Sequence, residues 1–224
     1  MVRKIITTDD DSMSIHLPEW NETYHSTHGA LNEALHIYIW SGLIPVSEKN
    51  KSIKIFEMGF GTGLNALLTL DLSVKEKLNV EYHTLENYPV DFDLVNQLQH
   101  PLKANLNYLE ESFNEMHHAD FSVKMPIRDS FSFIKYQQDL LNFEFPEKQF
   151  HLVYFDAFGP RVQPELWSVA VMKKMFDILL PGGRLVTYCA QGQFRRNLRE
   201  AGFLTHKLEG PKGKREMTLA LKPE

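Results

Sequence analysis

Residues 57–63 read Glu-Met-Gly-Phe-Gly-Thr-Gly, so that Gly59, Gly61 and Gly63 alternate with Phe60 and Thr62 behind the acid Glu57. Glycines spaced this way let a backbone approach a ligand closely, and in open α/β sheets ligands lie beyond the carboxyl ends of the strands. A nucleotide-like ligand is implied. A dinucleotide turn of the form GxGxxG beginning at Gly59 would need glycine at position 64, but that residue is Leu64, which disfavours NAD and FAD. Glu86, 23 positions after Gly63, is an acid suited to accept both hydroxyls of a ribose. Asp129 is the positional candidate for an adenine amino group. Asp156, in the run Asp156-Ala157-Phe158-Gly159-Pro160, can face a reacting atom and is the best catalytic candidate, its plainer alternative being a turn former.

These acids cooperate only if the chain brings them to one edge. Residues 52–58 are β-branched and aromatic and enter the glycine turn as a strand; 64–72 then resume with leucines at helical spacing. A second strand over 80–85 ends at Glu86, and 89–105 reads as helical. A third strand is expected over 121–127, with Asp129 at its carboxyl end and a helix through Phe131, Ile134 and Leu141 behind it. Residues 150–155 are nearly all apolar, as befits a central parallel strand, and deliver Asp156 at their end. Pro164 opens a helix that Pro181-Gly182-Gly183 closes, and strands follow over 184–189, 203–208 and 217–221, with a short helix over 193–201. Upstream, 30–40 has helical periodicity stopped by Gly42 and Pro45, and the first thirty residues read as an arm or lid. Alternating strands and helices predict an α/β fold with a doubly wound, mostly parallel sheet. Residues 1–50 are expected to pack as arm and helix on a 51–224 core, one domain overall.

With 224 residues, 43% of them hydrophobic, the chain can bury a sizeable core. The single cysteine, Cys189, allows no internal disulfide, and no spacing implies a metal. Neither a signal peptide nor a membrane-length apolar run is visible, so a cytoplasmic location is expected. Net charge is −5, yet residues 195–215 hold seven basic and two acidic residues, a local +5. That local excess keeps a polyanionic partner in view.

The pattern ExGxGxG resembles the first motif of class I methyltransferases, whose ligand is S-adenosylmethionine. Five runs extend the likeness: GFGTGLN at 59–65, LENYPV at 85–90, FDAFGPRVQPELW at 155–167, PGGRLVTYCAQGQFRRNLREAGF at 181–203 and GPKGKREM at 210–217. Together they resemble the methyltransferase component of the bifunctional tRNA 5-methylaminomethyl-2-thiouridine biosynthesis family. DAFGP stands where relatives often read DGFAP. The resemblance implies a Rossmann-like, S-adenosylmethionine-dependent enzyme without the family's FAD-dependent domain. Its implied reaction is N-methylation of the aminomethyl group of 5-aminomethyl-(2-thio)uridine at the tRNA wobble position. It also implies that Gly29 and Glu33 help close the cofactor pocket. Phe158, Trp167 and Phe60 are candidate platforms for an extruded base, Trp167 and Phe60 standing equally as packing residues. Arg195, Arg196, Arg199, Lys212, Lys214 and Arg215 are candidates for tRNA phosphates, or equally a solvated face. The partners expected are tRNA and no membrane, with a monomer as the simplest state. Rival acceptors are a small amine or a protein side chain; a non-catalytic cofactor- or tRNA-binding module is the reading of another class.

Overall fold

The expected arm is itself a small sheet. In the computed structural model, which describes residues 2–145 and 149–224, strands β1 (Lys4–Thr7), β2 (Met13–Leu17) and β3 (Glu22–Thr23) pair antiparallel. Ile15 and Leu17 point inward and are fully buried in the main core. Alternation over so few residues is too short to stand out in sequence.

Next comes a continuous helical rod: α1 (Ala30–Ala34), a π-helical segment Leu35–Leu43 and α2 (Ile44–Ser47). It runs past both expected stops. Pro45 lies inside this rod and supplies no N–H to the preceding turn, where the Ser41 carbonyl accepts from Arg184 Nη1 at 3.2 Å. Gly42 lies where a Cβ would come within 3.1 Å of Val186 and 3.2 Å of Tyr154, so it is a packing glycine.

The remaining elements are β4 (Ser52–Met58), α3 (Leu64–Glu76), β5 (Asn79–Leu85), α4 (Phe92–Gln97), α5 (His100–Lys103) and α6 (Glu110–His118). They continue as β6 (Met125–Arg128), β7 (Phe131–Tyr136), β8 (Phe150–Phe155), α7 (Val169–Ile178), β9 (Leu179–Thr187), α8 (Gly192–Glu200), β10 (Leu204–Glu209) and β11 (Glu216–Leu221). Strand order is β10-β11-β9-β8-β4-β5-β7-β6, and the five strands from β9 to β7 are parallel. The doubly wound α/β expectation therefore holds. The chain leaves β4 toward β5 on one side and reaches β8 on the other, and the crevice at that reversal is where a ligand fits.

Two local expectations fail. Phe131 and Ile134, expected on a helix, lie on β7, which pairs in parallel with β5; residues 125–128 form the antiparallel edge strand beside it. Phe131, Phe133, Ile134 and Tyr136 are all buried because both faces of β7 are covered, and a strand apolar on both faces loses the alternation that distinguishes it from a helix. Pro181-Gly182-Gly183 does not close a helix but sits inside β9, where the register against β8 shifts and Gly182 takes φ +72°.

Alternate residues of the central strands feed two cores. Ile53, Ile55 and Tyr154 face the layer containing the 35–43 segment and α3; Phe56, Val153 and Phe155 face the layer containing α7 and α8. Among the described residues, no helix is long and apolar enough to cross a membrane.

Candidate active site

β4 delivers the glycine turn to the sheet's carboxyl edge, and β8 delivers Asp156 beside it. The Asp156 N–H donates to the Met58 carbonyl at 2.9 Å, and a Cβ on Gly59 would lie 2.6 Å from the Asp156 carbonyl oxygen. Gly59 also sits at φ +93°, so only glycine lets the two strand ends meet this closely. Gly63, at φ +77°, starts α3 in the left-handed region; a Cβ there would strike His117 Nε2 at 2.6 Å.

A cavity of about 590 Å³ opens over this edge, bordered by the turn, Glu86, Asp156, Tyr188 and residues 22–27 of the N-terminal segment. Glu86 accepts the Gly61 N–H at 3.0 Å through Oε2 and the Tyr88 N–H at 2.9 Å through Oε1. Its carboxylate is thus held rigidly at the cavity wall, with acceptor capacity left for ribose hydroxyls.

Asp156 accepts a hydrogen bond from Asn65 Nδ2 at 2.9 Å, and the Tyr38 hydroxyl faces the same carboxylate without closing a hydrogen bond of ordinary geometry. Burial pushes its pKa up to about 6, and the Glu33 charge adds to the rise; Tyr38, Asn65 and Lys214 oppose it. The group is therefore an acceptor at neutral pH, but only a little above its titration.

Glu57 does not line the cavity. It is fully buried beneath the turn, accepts the Thr84 hydroxyl at 2.8 Å through Oε2, leaves Oε1 without a hydrogen bond, and is raised to about 8 chiefly by burial. The expected cofactor contact at Glu57 becomes a support beneath it. Thr62 borders the cavity, but its hydroxyl is turned inward, 2.9 Å from His100 Nε2 and 3.3 Å from His25 Nε2. Burial lowers His25 to about 4 and His100 well below the usual range, so both rings are neutral and serve as hydrogen-bonding spacers under the turn.

Four further candidates move. Asp129 is exposed in the β6–β7 turn; because β7 begins after it and runs parallel to β5, the residue stands at the amino edge, opposite Glu86 and Asp156. Trp167 is 2% exposed, packs edge-on against Phe155 at 5.1 Å and Phe194 at 4.8 Å, and donates Nε1–H to the Phe158 carbonyl at 2.8 Å. It fixes the Asp156 loop instead of meeting a base. Phe60 borders the cavity, but its ring is buried against Phe133 and His117. Arg195, 5% exposed, is bound to Glu216 at 2.8 Å and to Thr218 Oγ1 at 3.1 Å, which removes it from any phosphate surface. Arg196, Arg199, Lys212 and Arg215 remain exposed.

Phe158 lines the cavity beside neighbours that the sequence does not single out. Trp20 and Tyr24 meet it edge-on with centroids 5.5 and 5.1 Å away, making an aromatic rim at the cavity mouth. Lys214 also changes role: its ammonium reaches the cavity, pairs with Glu33 and stands 4.2 Å over the Tyr188 ring. Glu33 lines the cavity and accepts the Ser26 N–H at 2.7 Å. Asn65, Tyr38 and Tyr188 were unmarked; of these Asn65 alone had a signal, one turn-length beyond Gly61 on the face that α3 turns to the sheet.

A doubly wound sheet whose first strand ends in this turn, with acids at the ends of its two neighbours, defines a class I nucleotide-cofactor transferase. Residues 95–223 match the family described as S-adenosyl-L-methionine-dependent methyltransferase, and the chain belongs to that family. The chain is 30% identical over 221 residues to the tRNA 5-methylaminomethyl-2-thiouridine biosynthesis bifunctional protein MnmC of Ralstonia nicotianae, covering 91% of this chain and 32% of that protein. It is 28% identical over 218 residues to the protein of the same name from Cupriavidus necator, with the same coverages of 91% and 32%. The chain thus spans about a third of the length of these relatives. The crystal structure of MNMC2 from Aquifex aeolicus shares the fold, with TM-score 0.75 and 22% identity, covering 100% of this chain and 72% of that one.

The residues present fit S-adenosylmethionine: Gly59 and Gly61 border the cavity, Glu86 at its wall suits the ribose, and a cavity of about 590 Å³ is of the size that small-molecule cofactors occupy. Gly59, Gly61 and Glu86 would hold it. When bound, it supplies a methyl group on a sulfonium that leaves as a neutral thioether.

Proposed function

We propose that this methyltransferase acts on the primary amine of 5-aminomethyl-(2-thio)uridine at the wobble position of tRNA, yielding the 5-methylaminomethyl form. The observation that carries this reading is the pairing of Asp156, an acceptor at neutral pH, with the Phe158–Trp20–Tyr24 rim at one cavity mouth. An extruded pyrimidine finds apolar ring edges there, and its aminomethyl arm can reach the carboxylate. The names borne by the Ralstonia and Cupriavidus relatives favour the same acceptor.

An alkylammonium with pKa near ~10.4 must shed a proton before its lone pair can attack. Asp156 would accept a hydrogen bond from the amine nitrogen, orient its lone pair toward the methyl group that bound S-adenosylmethionine would supply, and take up or relay the proton that the nitrogen gives up. Asn65 fixes the rotation of the carboxylate, and Trp167, through the Phe158 carbonyl, fixes the loop. Exposed Arg196, Lys212 and Arg215 supply phosphate contacts, which makes binding weaken steeply with salt.

Methyl transfer from labelled S-adenosylmethionine to tRNA from cells lacking this protein, followed by nucleoside mass analysis, tests the reading. A new methylaminomethyluridine supports it. Labelling of a small amine or protein in its place, with tRNA unlabelled, overturns the acceptor and leaves the reaction class.

A further inference from the structure

Four buried polar atoms around Asp156 and Glu57 have no hydrogen-bond partner: Glu57 Oε1, Asn65 Oδ1, and the hydroxyls of Tyr38 and Tyr82. They come from β4, α3, the 35–43 segment and β5. Unsatisfied polar atoms are costly to bury, so a group of them beside the reacting carboxylate asks for a reason other than packing.

Asn65 stands between the two carboxyls. Its Nδ2 donates to Asp156 Oδ2 at 2.9 Å, and its amide also faces Glu57, as does the Tyr82 hydroxyl. Glu57 Oε2 already accepts the Thr84 hydroxyl at 2.8 Å, so an acid hydrogen on this carboxyl belongs on Oε1. That hydrogen is a donor in a group short of donors, because Asn65 Oδ1 can only accept. Ionised, Glu57 would instead set a second negative charge against the amide that serves Asp156.

The surroundings decide which carboxyl carries the charge. Glu57 is sealed beneath the turn, whereas Asp156 borders the cavity. Burial, with the Asp156 charge adding to it, keeps Glu57 an acid up to about pH 8, while Asp156 ionises from about 6. Tyr82 and Tyr154, the other titratable groups facing Glu57, are raised by burial and stay neutral phenols over this range. Between the two midpoints one negative charge serves two carboxyls, and it rests on Asp156.

We propose that Glu57 is a positioning residue for Asp156: as a neutral acid it leaves the Asn65 amide on the Asp156 carboxylate, and on ionising it draws that amide to itself and frees the carboxylate to rotate. Glu57 touches neither the amine nor the cofactor, and it acts through Asn65. The consequence for methylation rests on the role given to Asp156 above; the coupling of the two carboxyls does not, and is measured without tRNA.

The side-chain amide signals of Asn65, followed by NMR on the full chain as pH is raised, should move twice, at about 6 with Asp156 and at about 8 with Glu57. In Glu57→Gln, which keeps an acceptor for Thr84 and gains an N–H for Asn65, the upper step should vanish and the lower remain. A single step, or an upper step that survives Glu57→Gln, overturns the proposal. Should that variant melt below the assay temperature, Thr84→Val takes its place: losing the hydroxyl that favours the ionised form should move the upper step to higher pH, and an unmoved step overturns. Single-turnover methylation of tRNA gives the second readout. The rate of Glu57→Gln divided by that of the wild type cancels the amine's own titration and should climb about fivefold between about pH 8 and about pH 9. A flat ratio overturns the proposal, since a merely structural Glu57 would not reshape the profile. If neither protein labels tRNA while the amide still titrates in two steps, the acceptor reading falls and the coupling stands.

Discussion

The two walls of the cavity are built by different means. The sheet-edge wall, with the turn, Glu86 and Asp156, is made by short strands that each end in a functional residue; its contacts run between neighbouring strand ends, as from Asp156 to Met58. The opposite wall, with Trp20, Tyr24, His25 and Glu33, hangs on contacts between distant segments: Arg161 to residues 20–22, Arg3 to residues 88–89, and Lys214 to Glu33. A wall made of strand ends carries its chemistry in local motifs, whereas a wall assembled by long-range fasteners carries it in geometry.

The largest effect should come from the sheet-edge wall. Asp156→Ala is expected to lower kcat by about 10²–10⁴-fold while changing S-adenosylhomocysteine affinity far less, as checked by single-turnover rates beside calorimetry. Near-normal turnover would sink its role. In the wild type the rate should fall as pH drops through about 6, because protonation removes the acceptor.

Gly59→Ala comes next: its Cβ would meet the Asp156 carbonyl at 2.6 Å, and a loss of about 1–3 kcal/mol in a urea melt is expected, together with loss of cofactor binding. Full retention of both would show that the strand ends can part without consequence.

Glu57 offers a pH test of the same wall. Its folded pKa, about 8, is above the ordinary 4.5, so the stability it contributes is fully present below about 4.5 and is lost as pH rises through about 8. Glu57→Gln, neutral throughout, should flatten that decline in thermal melts across this window. An unchanged slope would mean that the carboxyl is not held neutral.

The smallest effect belongs to the opposite wall. Arg161→Ala removes an exposed pair with Glu22, so stability should shift by about 1 kcal/mol or less. KM for the acceptor should rise while kcat holds, because residues 20–22 lose their anchor to the Asp156 loop. A kcat loss rivalling that of Asp156→Ala would erase the contrast between the walls.

Legibility followed the same division. β4, the turn, β5, β8 and Asp156 could be read because residue type and spacing are local there. Asp129 misled because an edge hairpin reverses which end of the strand it occupies. Trp167 and Arg195 have the residue types of a binding surface, and their burial depends on partners such as Phe194 and Thr218 that lie 27 and 23 positions away. Lys214 looked like its exposed neighbours Lys212 and Arg215, and only its pairing with Glu33, beside the contact of His36 with the Glu209 carbonyl, tells them apart.

The β10–β11 hairpin turns Lys214 toward the cavity while Lys212 and Arg215, on either side, face outward. One short loop therefore borders both the interior and the outer surface. Were a ligand in the cavity to shift this loop and so alter what it offers outside, thermodynamic reciprocity would require an outer ligand to change the inner affinity by the same factor. Loaded and empty protein would then differ in what the outer face of the hairpin offers.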